Sequence, residues 1–279
     1  MIVKMLSNRD ASEEMPMIRA HLATFPARSG ILMQTIRSIL PQVDKLCICF
    51  NQYDKIPAAL ADEPKIDALA PDRDLKDAGK FAFDVAADDM VFTIDDDILY
   101  PPDYVTTTLS FFDFVDPRDS VLGHLGHAWV AKGKLGQMGW KNWMFLKRNP
   151  NMVKVDFLGT GTTCQLGQNL PRLHQIESAS GFVDLRHGRM HAEAGRRMWV
   201  LPHDEGWMAS TMTDDLRASS LFDTVNRVAP PQMRTELSAL LKARTPDSGE
   251  HYRHLRQRGL VARPVGPAAA RLDQGRLQG

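Results

Sequence analysis

Short apolar runs of strand length recur through the first hundred residues, and stretches with helical spacing separate them. Met17 to Thr24 predicts a strand. Phe25-Pro26-Ala27-Arg28 follows, and Ser29 is placed to cap a helix over residues 31–40. Apolar side chains at 32, 36, 39 and 40 give that helix one buried stripe, and Pro41 stops it. Lys45 to Phe50 is a compact apolar run, the mark of a strand buried on both faces. A short helical stretch over 54–61, a strand over 66–70, a helix over 75–87 and a buried strand over 90–94 come next. Such alternation predicts a mostly parallel sheet joined by right-handed crossovers. Beyond it, Pro101-Pro102 opens a helix reaching to about Phe114.

The second half is less regular. Residues 121–130 and 153–166 predict strands, separated by a Gly-, Lys- and Trp-rich stretch over 132–149. A helix is expected over 183–195 and a short strand over 198–201. After residue 221 apolar density falls, and only 232–243 keeps a helical pattern. The expected fold class is α/β: a Rossmann-like, mostly parallel sheet flanked by helices, with a weakly structured helical C-terminal tail. The expected boundaries are an extension over 1–16, one domain over 17–221 and a basic tail over 222–279.

Composition then narrows the class. Of 279 residues, 43% are apolar and 24% charged, which excludes a disordered or fibrous chain. No run approaches the ~18 apolar residues needed to span a bilayer. Cys47, Cys49 and Cys164 lack CxxC spacing, so neither a zinc ribbon nor a disulfide framework is expected, and a reducing cytoplasm is. The formal charge of zero hides an asymmetry. Ten Lys/Arg face five Asp/Glu from Phe222 onward, leaving the first 221 residues five charges negative. A core of that sign offers no footprint for nucleic acid. The basic end suits a solvated tail or peripheral contact with the inner face of an anionic membrane.

The strongest chemical signal is Thr93-Ile94-Asp95-Asp96-Asp97-Ile98. A buried strand that releases carboxylates at its carboxyl end puts them where open α/β sheets bind ligands. Side chains two apart in extended chain share a face, so Asp95 and Asp97 can converge on one cation. Hard oxygen ligands suit Mg²⁺ or Mn²⁺, which bridge to nucleotide phosphates. A solvated acidic turn would show the same residues, but its place directly after an apolar strand favours a site.

Several segments resemble bacterial GT-A glycosyltransferases close to family 2. They are Ala23 to Arg28, Ser38 to Asp44, Asn51 with Asp54 to Pro57, Gly79-Lys80-Phe81 and Phe92 to Tyr104. Gly159 to Thr162, Phe182-Val183-Asp184 and the stretch reaching Glu205-Gly206-Trp207 continue the likeness, which spans roughly 17–210. It implies a nucleotide-sugar half over 17–115 and an acceptor half over 116–221. It assigns Asp95 and Asp97 to a divalent cation and Asp96 to the ribose or donor sugar; His203 is a separate candidate for a third metal ligand. Pro26, Arg28, Asn51 and Lys80 fall in the nucleotide pocket by the same likeness. Arg28 is otherwise a surface arginine at a helix start, and Lys80 an ordinary helix lysine with Asp77 as its i,i+3 partner.

Asp184 is the expected catalytic base, with Asp204 and Glu205 as alternatives; an inverting transfer needs a carboxylate beside the acceptor hydroxyl. As a plain carboxylate in a first helical turn, Asp184 would serve the helix dipole instead. His187 and His191 have zinc-ligand spacing, yet Gly188 stands where HExxH needs Glu, so a packed pair is expected. Trp140, Trp143, Trp199 and Trp207 are either core or platforms for an acceptor sugar, Trp207 foremost. Gly159 to Thr162 offers backbone donors to a donor sugar or is a plain turn.

The resulting expectation is a metal-dependent glycosyltransferase moving a sugar from a UDP-sugar to a glycan or other acceptor hydroxyl, with inversion. The alternatives are a nucleotidyltransferase of similar fold and a non-catalytic nucleotide- or carbohydrate-binding partner in glycan assembly.

Overall fold

A computed structural model describes residues 16–133, 136–217 and 230–261. The expected extension lies outside these except for Pro16, as do residues 222–229 and 262–279 of the expected tail. The strands are β1 (Ile18–Thr24), β2 (Lys45–Phe50), β3 (Ile66–Leu69), β4 (Met90–Ile94), β5 (Ile98–Leu99) and β6 (Ser120–Gly123). They continue with β7 (Gly126–Lys132), β8 (Gln137–Trp143), β9 (Val153–Val155), β10 (Phe157–Leu158), β11 (Thr162–Leu166), β12 (Arg197–Val200) and β13 (Ala209–Ser210).

Eight strands form one sheet in the order β3-β2-β1-β4-β11-β6-β12-β9. Neighbours from β3 to β4 run parallel, as do β6 and β12, whereas β11 and β9 run antiparallel to their neighbours. Helices α1 (Ser29–Ile39), α2 (Tyr104–Ser110) and α3 (Val183–Glu193) flank it. This is the expected fold class: a mixed α/β, Rossmann-like, mostly parallel sheet flanked by helices. The apolar runs at 46–50 and 90–94 are wholly buried because they lie inside the sheet and are covered on both faces. Among the described residues no helix is long and apolar enough to cross a membrane.

Two local expectations need correcting. Ser29 begins α1 rather than capping it; Arg28 occupies the cap with no side-chain bond, after a 3-10 turn Pro26–Arg28. The helix expected over 75–87 is only a 3-10 turn, Lys76–Phe81. Tertiary partners hold this crossover: Gly79 lies so close to Cys49 that an added Cβ would sit 2.6 Å from its Sγ. Further on, Asp89 accepts from Met17 N at 2.9 Å and Ala86 N at 3.0 Å, and pairs with Arg19 at 2.7 Å.

The tail is helical, as expected, but residues 230–261 are docked rather than weakly structured. Helix α4 (Pro231–Ala243) lies on α3, with Leu240 buried among Ala179, Phe182 and Leu185. Its Glu236 pairs with Arg186 at 2.8 Å and with Arg189. Next, the buried Lys154 amine donates to Thr245 at 2.5 Å and Ser248 at 2.7 Å, and pairs with Asp247 at 3.2 Å. Helix α5 (Tyr252–Gln257) buries Tyr252 and Leu255 in the main core, and the Tyr252 hydroxyl donates to Phe114 O at 3.0 Å. Fully burying a leucine such as Leu240 or Leu255 contributes ~1.5–3 kcal/mol. A boundary at 221 therefore leaves part of the core outside the domain.

Candidate functional site

β4 lies between β1 and β11, so its carboxyl end opens at the centre of the sheet. The acidic turn that follows is fixed through its backbone. Asp95 N donates to the Tyr100 hydroxyl at 2.9 Å, and that hydroxyl donates to Gly161 O at 2.7 Å. The Thr35 hydroxyl of α1 lies 3.0 Å from both Asp96 O and Ile98 O. Thr211 N donates to Asp97 O at 2.9 Å, extending the pairing of β13 with β5 back onto the acidic turn.

With the backbone held, the three carboxylates part. Asp96 turns inward and accepts from the Thr24 hydroxyl at 2.7 Å. Asp95 pairs with Lys80, and Asp97 with Arg28 Nη1 at 3.5 Å. Burial pushes Asp96 up to about 7, with the Asp97 and Asp95 charges adding while Thr24 and Arg28 oppose. Burial also lifts Asp97 to about 6, and the Asp95 charge works in the same direction. The Asp95 carboxylate is thus near enough to oppose the ionisation of Asp97.

Lys80 is the hub. Its side chain is buried, its amine meets Asp95 and lies 3.4 Å from Thr160 O, and its own carbonyl meets His21 Nδ1 at 2.9 Å. Burial works against its charge, but Asp95, Asp184 and Asp77 together outweigh that and its pKa lies above the ordinary value. Asp184 comes from the first turn of α3 and is half-buried. One of its oxygens accepts both the Thr160 N–H at 2.9 Å and the Thr160 hydroxyl at 2.7 Å. Burial still raises its pKa.

Asp77 differs from the expectation of an i,i+3 partner for Lys80. Its carboxylate accepts from Gly181 N at 2.6 Å and Val183 N at 3.4 Å, holding the amino end of α3 where the dipole favours it. Burial lifts it to about 6, and Asp184 adds to the shift. The glycines of 159–162 admit close neighbours. A Cβ on Gly161 would lie 1.9 Å from Asp95 Oδ2, and one on Gly159 would lie 2.4 Å from Leu125 Cδ2.

The remaining expected residues divide. Arg28 is buried beside Asp97 with Met212 Sδ at 2.7 Å from its Nη1, while Pro26 opens the adjoining turn in solvent. The buried Asn51 instead pins the loop before Lys80, donating to Lys76 O at 2.9 Å and accepting from Leu75 N at 2.9 Å. His203 stands apart from the aspartates: Nδ1 meets Leu201 O at 3.0 Å and Nε2 meets Met144 O at 3.4 Å. Asp204 and Glu205 are exposed, and Asp204 pairs with Arg148 at 3.6 Å. Trp199 is core with no exposure at all, and Trp143 is buried. Trp207 is half-buried and donates to Asp103 at 3.1 Å; Trp140 stands against Trp129, ring centroids 5.1 Å apart. His187 and His191 form a buried pair, Nε2 to Nε2 at 3.1 Å, with Gln165 at 3.2 Å from His187.

Among the described residues no three His, Cys, Asp or Glu side chains gather closely enough to hold a metal ion. His203 fails as a third ligand because its ring is turned to backbone carbonyls. Asp95 and Asp97, near enough for one charge to act on the other, offer the one or two carboxylates that Mg²⁺ or Mn²⁺ commonly takes before water and phosphate complete its shell.

Sequence reasoning gave no role to the hydroxyls of Thr24, Thr35, Thr160 or Tyr100. Their hydroxyls act on residues from other elements, and the sequence carried no signal beyond their nearness to quoted motifs.

No protein-family model matches the chain, and no curated protein matches it. Among solved structures, the crystal structure of S. aureus TarS 1-349 is similar with a TM-score of 0.42 and 11% identity, over 81% of this chain and 71% of that one. A likeness that loose carries no argument about chemistry. The fold stands on its own strand order.

Proposed function

We propose that this chain is a glycosyltransferase that moves a sugar from a nucleotide-sugar donor, a UDP-sugar, to an acceptor hydroxyl with inversion, assisted by Mg²⁺ or Mn²⁺. One observation carries the reading. The paired carboxylates Asp95 and Asp97 and the separate carboxylate Asp184, from distant parts of the chain, are gathered around the buried Lys80 at the carboxyl end of the sheet.

Asp95 and Asp97 would hold the divalent cation. When bound, it would offset the negative charge that develops on the leaving diphosphate. Lys80 and Arg28, already seated on these carboxylates, are placed to exchange them for phosphate oxygens as the donor arrives. Asp184 takes the acceptor proton. Thr160 occupies one of its oxygens and fixes its orientation, and burial raises its basicity toward that of a working base. Asp77 positions Asp184 by anchoring the turn that bears it.

The test is Asp184→Asn in a transfer assay with UDP-sugars and Mn²⁺, alongside nucleotide affinity measured by calorimetry. Loss of the base should slow transfer by about 10²–10⁴-fold and leave nucleotide affinity unchanged. Near-normal transfer would move the base to Asp204 or Glu205. Absence of metal-dependent UDP-sugar turnover in the native chain would favour a binding partner over an enzyme.

A further inference from the structure

At the end of the sheet opposite the acidic turn, cations collect around one cavity. β4 and β6 both run antiparallel to β11, and β12 runs parallel to β6, so β12 begins at the amino end of the sheet. The last turn of α3 finishes there. Its carbonyls are already closed, by Arg196 N on His191 O at 2.9 Å and Gly195 N on Ala192 O at 3.0 Å, with Gly195 at φ 70°. Between this turn, β9, the start of β12 and the first residues after α4 lies a cavity of about 60 Å³. Lys154, Arg196, Arg197 and Arg244 line it together with Asp156.

Two of these five groups are spent. The Lys154 amine serves Thr245 and Ser248 and pairs with Asp247 at 3.2 Å. Asp156 accepts the Trp129 N–H at 2.6 Å and the Ser248 hydroxyl. The arginines stand around this network. Arg244 Nη1 donates to Trp129 O at 3.2 Å, beside the N–H that Asp156 holds. Burial pulls the Lys154 pKa below its ordinary value, against Asp247 and Asp156, and the nearby Arg197 charge adds to the pull. All three arginines are half-buried, and none forms an ion pair among the described residues. Cations held partly out of water without a counter-charge repel one another, and Asp156 offsets one at most. Arg196 suits the negative end of α3, which explains one arginine and leaves Arg197 and Arg244 without a role.

We propose that this cavity binds a phosphate group, which bridges the domain to its C-terminal segment. A cavity of that size holds a few waters or one tetrahedral oxyanion. Guanidinium forks suit phosphate oxygens, and an anion here relieves the repulsion among the arginines. Arg196 and Arg197 belong to the sheet edge, whereas Arg244 and Thr245 follow α4, so bound phosphate tightens the docking of the segment after α4. Gly195 and Thr245 are exposed, so a phosphate borne on a larger molecule can enter head first. The site is at the far end of the sheet from Asp95 and Lys80, and it stands independently of the reaction proposed above.

Thermal unfolding of the full chain across a range of inorganic phosphate, with EDTA present, tests it alongside hydrogen exchange. Phosphate should raise the midpoint and slow exchange over 195–198 and 244–250, and both effects should fade at high salt. Arg196→Gln with Arg197→Gln should weaken phosphate binding about 10–100-fold. Without phosphate this variant should unfold near the native midpoint, because it loses charge rather than packing. A midpoint that phosphate leaves unmoved overturns the proposal. So does protection confined to the loops around Asp95 and Lys80, or a variant that responds to phosphate as the native chain does. Glycerol 3-phosphate distinguishes the sources. Tighter binding of the ester than of the free ion assigns the cavity to a phosphate on a larger molecule, and the reverse assigns it to inorganic phosphate; either order supports the site when the variant loses it.

Discussion

Asp96→Asn removes a buried carboxylate whose charge the folded chain disfavours. Burial raises Asp96 from 3.8 to about 7, against the pull of Thr24 and Arg28. A carboxyl raised in this way weakens the fold as pH rises. Below about pH 4 both folded and unfolded chains hold the proton; between about 4 and 7 only the folded chain does; above about 7 the penalty is complete. Roughly three units at about 1.36 kcal/mol each give about 4 kcal/mol, which relaxation of the site reduces to about 2–4. Asn keeps a carbonyl for the Thr24 hydroxyl, but its buried N–H groups cost about 1 kcal/mol. The variant should therefore be slightly less stable than the native chain near pH 4 and about 1–3 kcal/mol more stable near pH 8. For a chain of this size that gain is a rise in Tm of about 5 °C. Thermal unfolding followed by circular dichroism, with EDTA to keep cations off Asp95 and Asp97, reads the difference. A variant whose Tm offset is the same at both pH values, or that is less stable at the higher one, would refute the reasoning.

Gly161→Ala would put a Cβ 1.9 Å from Asp95 Oδ2 and displace that carboxylate. Mn²⁺ affinity by calorimetry should fall about 10–100-fold, and unchanged affinity would remove Asp95 from the proposed cation site. Asp77→Ala frees the Gly181 and Val183 N–H groups and should cost about 1–2 kcal/mol in urea unfolding. Because Asp184 is carried on that turn, transfer should slow more than the stability loss explains; a normal rate would separate the two residues. Tyr252→Ala removes a ring buried beside Phe114 and Trp199 and should cost about 3–5 kcal/mol. A cost below about 1 kcal/mol would show that residues 230–261 add little to the fold.

The candidate site was legible where its chemistry is local. Thr93 to Ile98 announced a strand end bearing carboxylates, and the structure puts it at the middle of the sheet, with Asp95 and Asp97 turned to cations and Asp96 inward. What failed was anything that depended on a distant partner. Residues 75–87 have helical spacing, yet Gly79 is pressed onto Cys49 and Asp77 is drawn to Gly181, so only a 3-10 turn survives. His203 reads as a ligand by its place in a motif, but its ring is spent on Leu201 and Met144.

The sequence by itself determined most of the strands and helices up to residue 114, because apolar periodicity acts over a few residues and needs no partner to be read. It also determined that carboxylates leave β4 at its carboxyl end. Only the tertiary structure decided which groups meet. Lys80 reaches Asp95, Asp77 reaches α3, and Tyr252 reaches Phe114 across 138 residues of chain. A buried polar group must find a partner, and which partner is near is fixed by the packing of the whole sheet rather than by its neighbours in sequence.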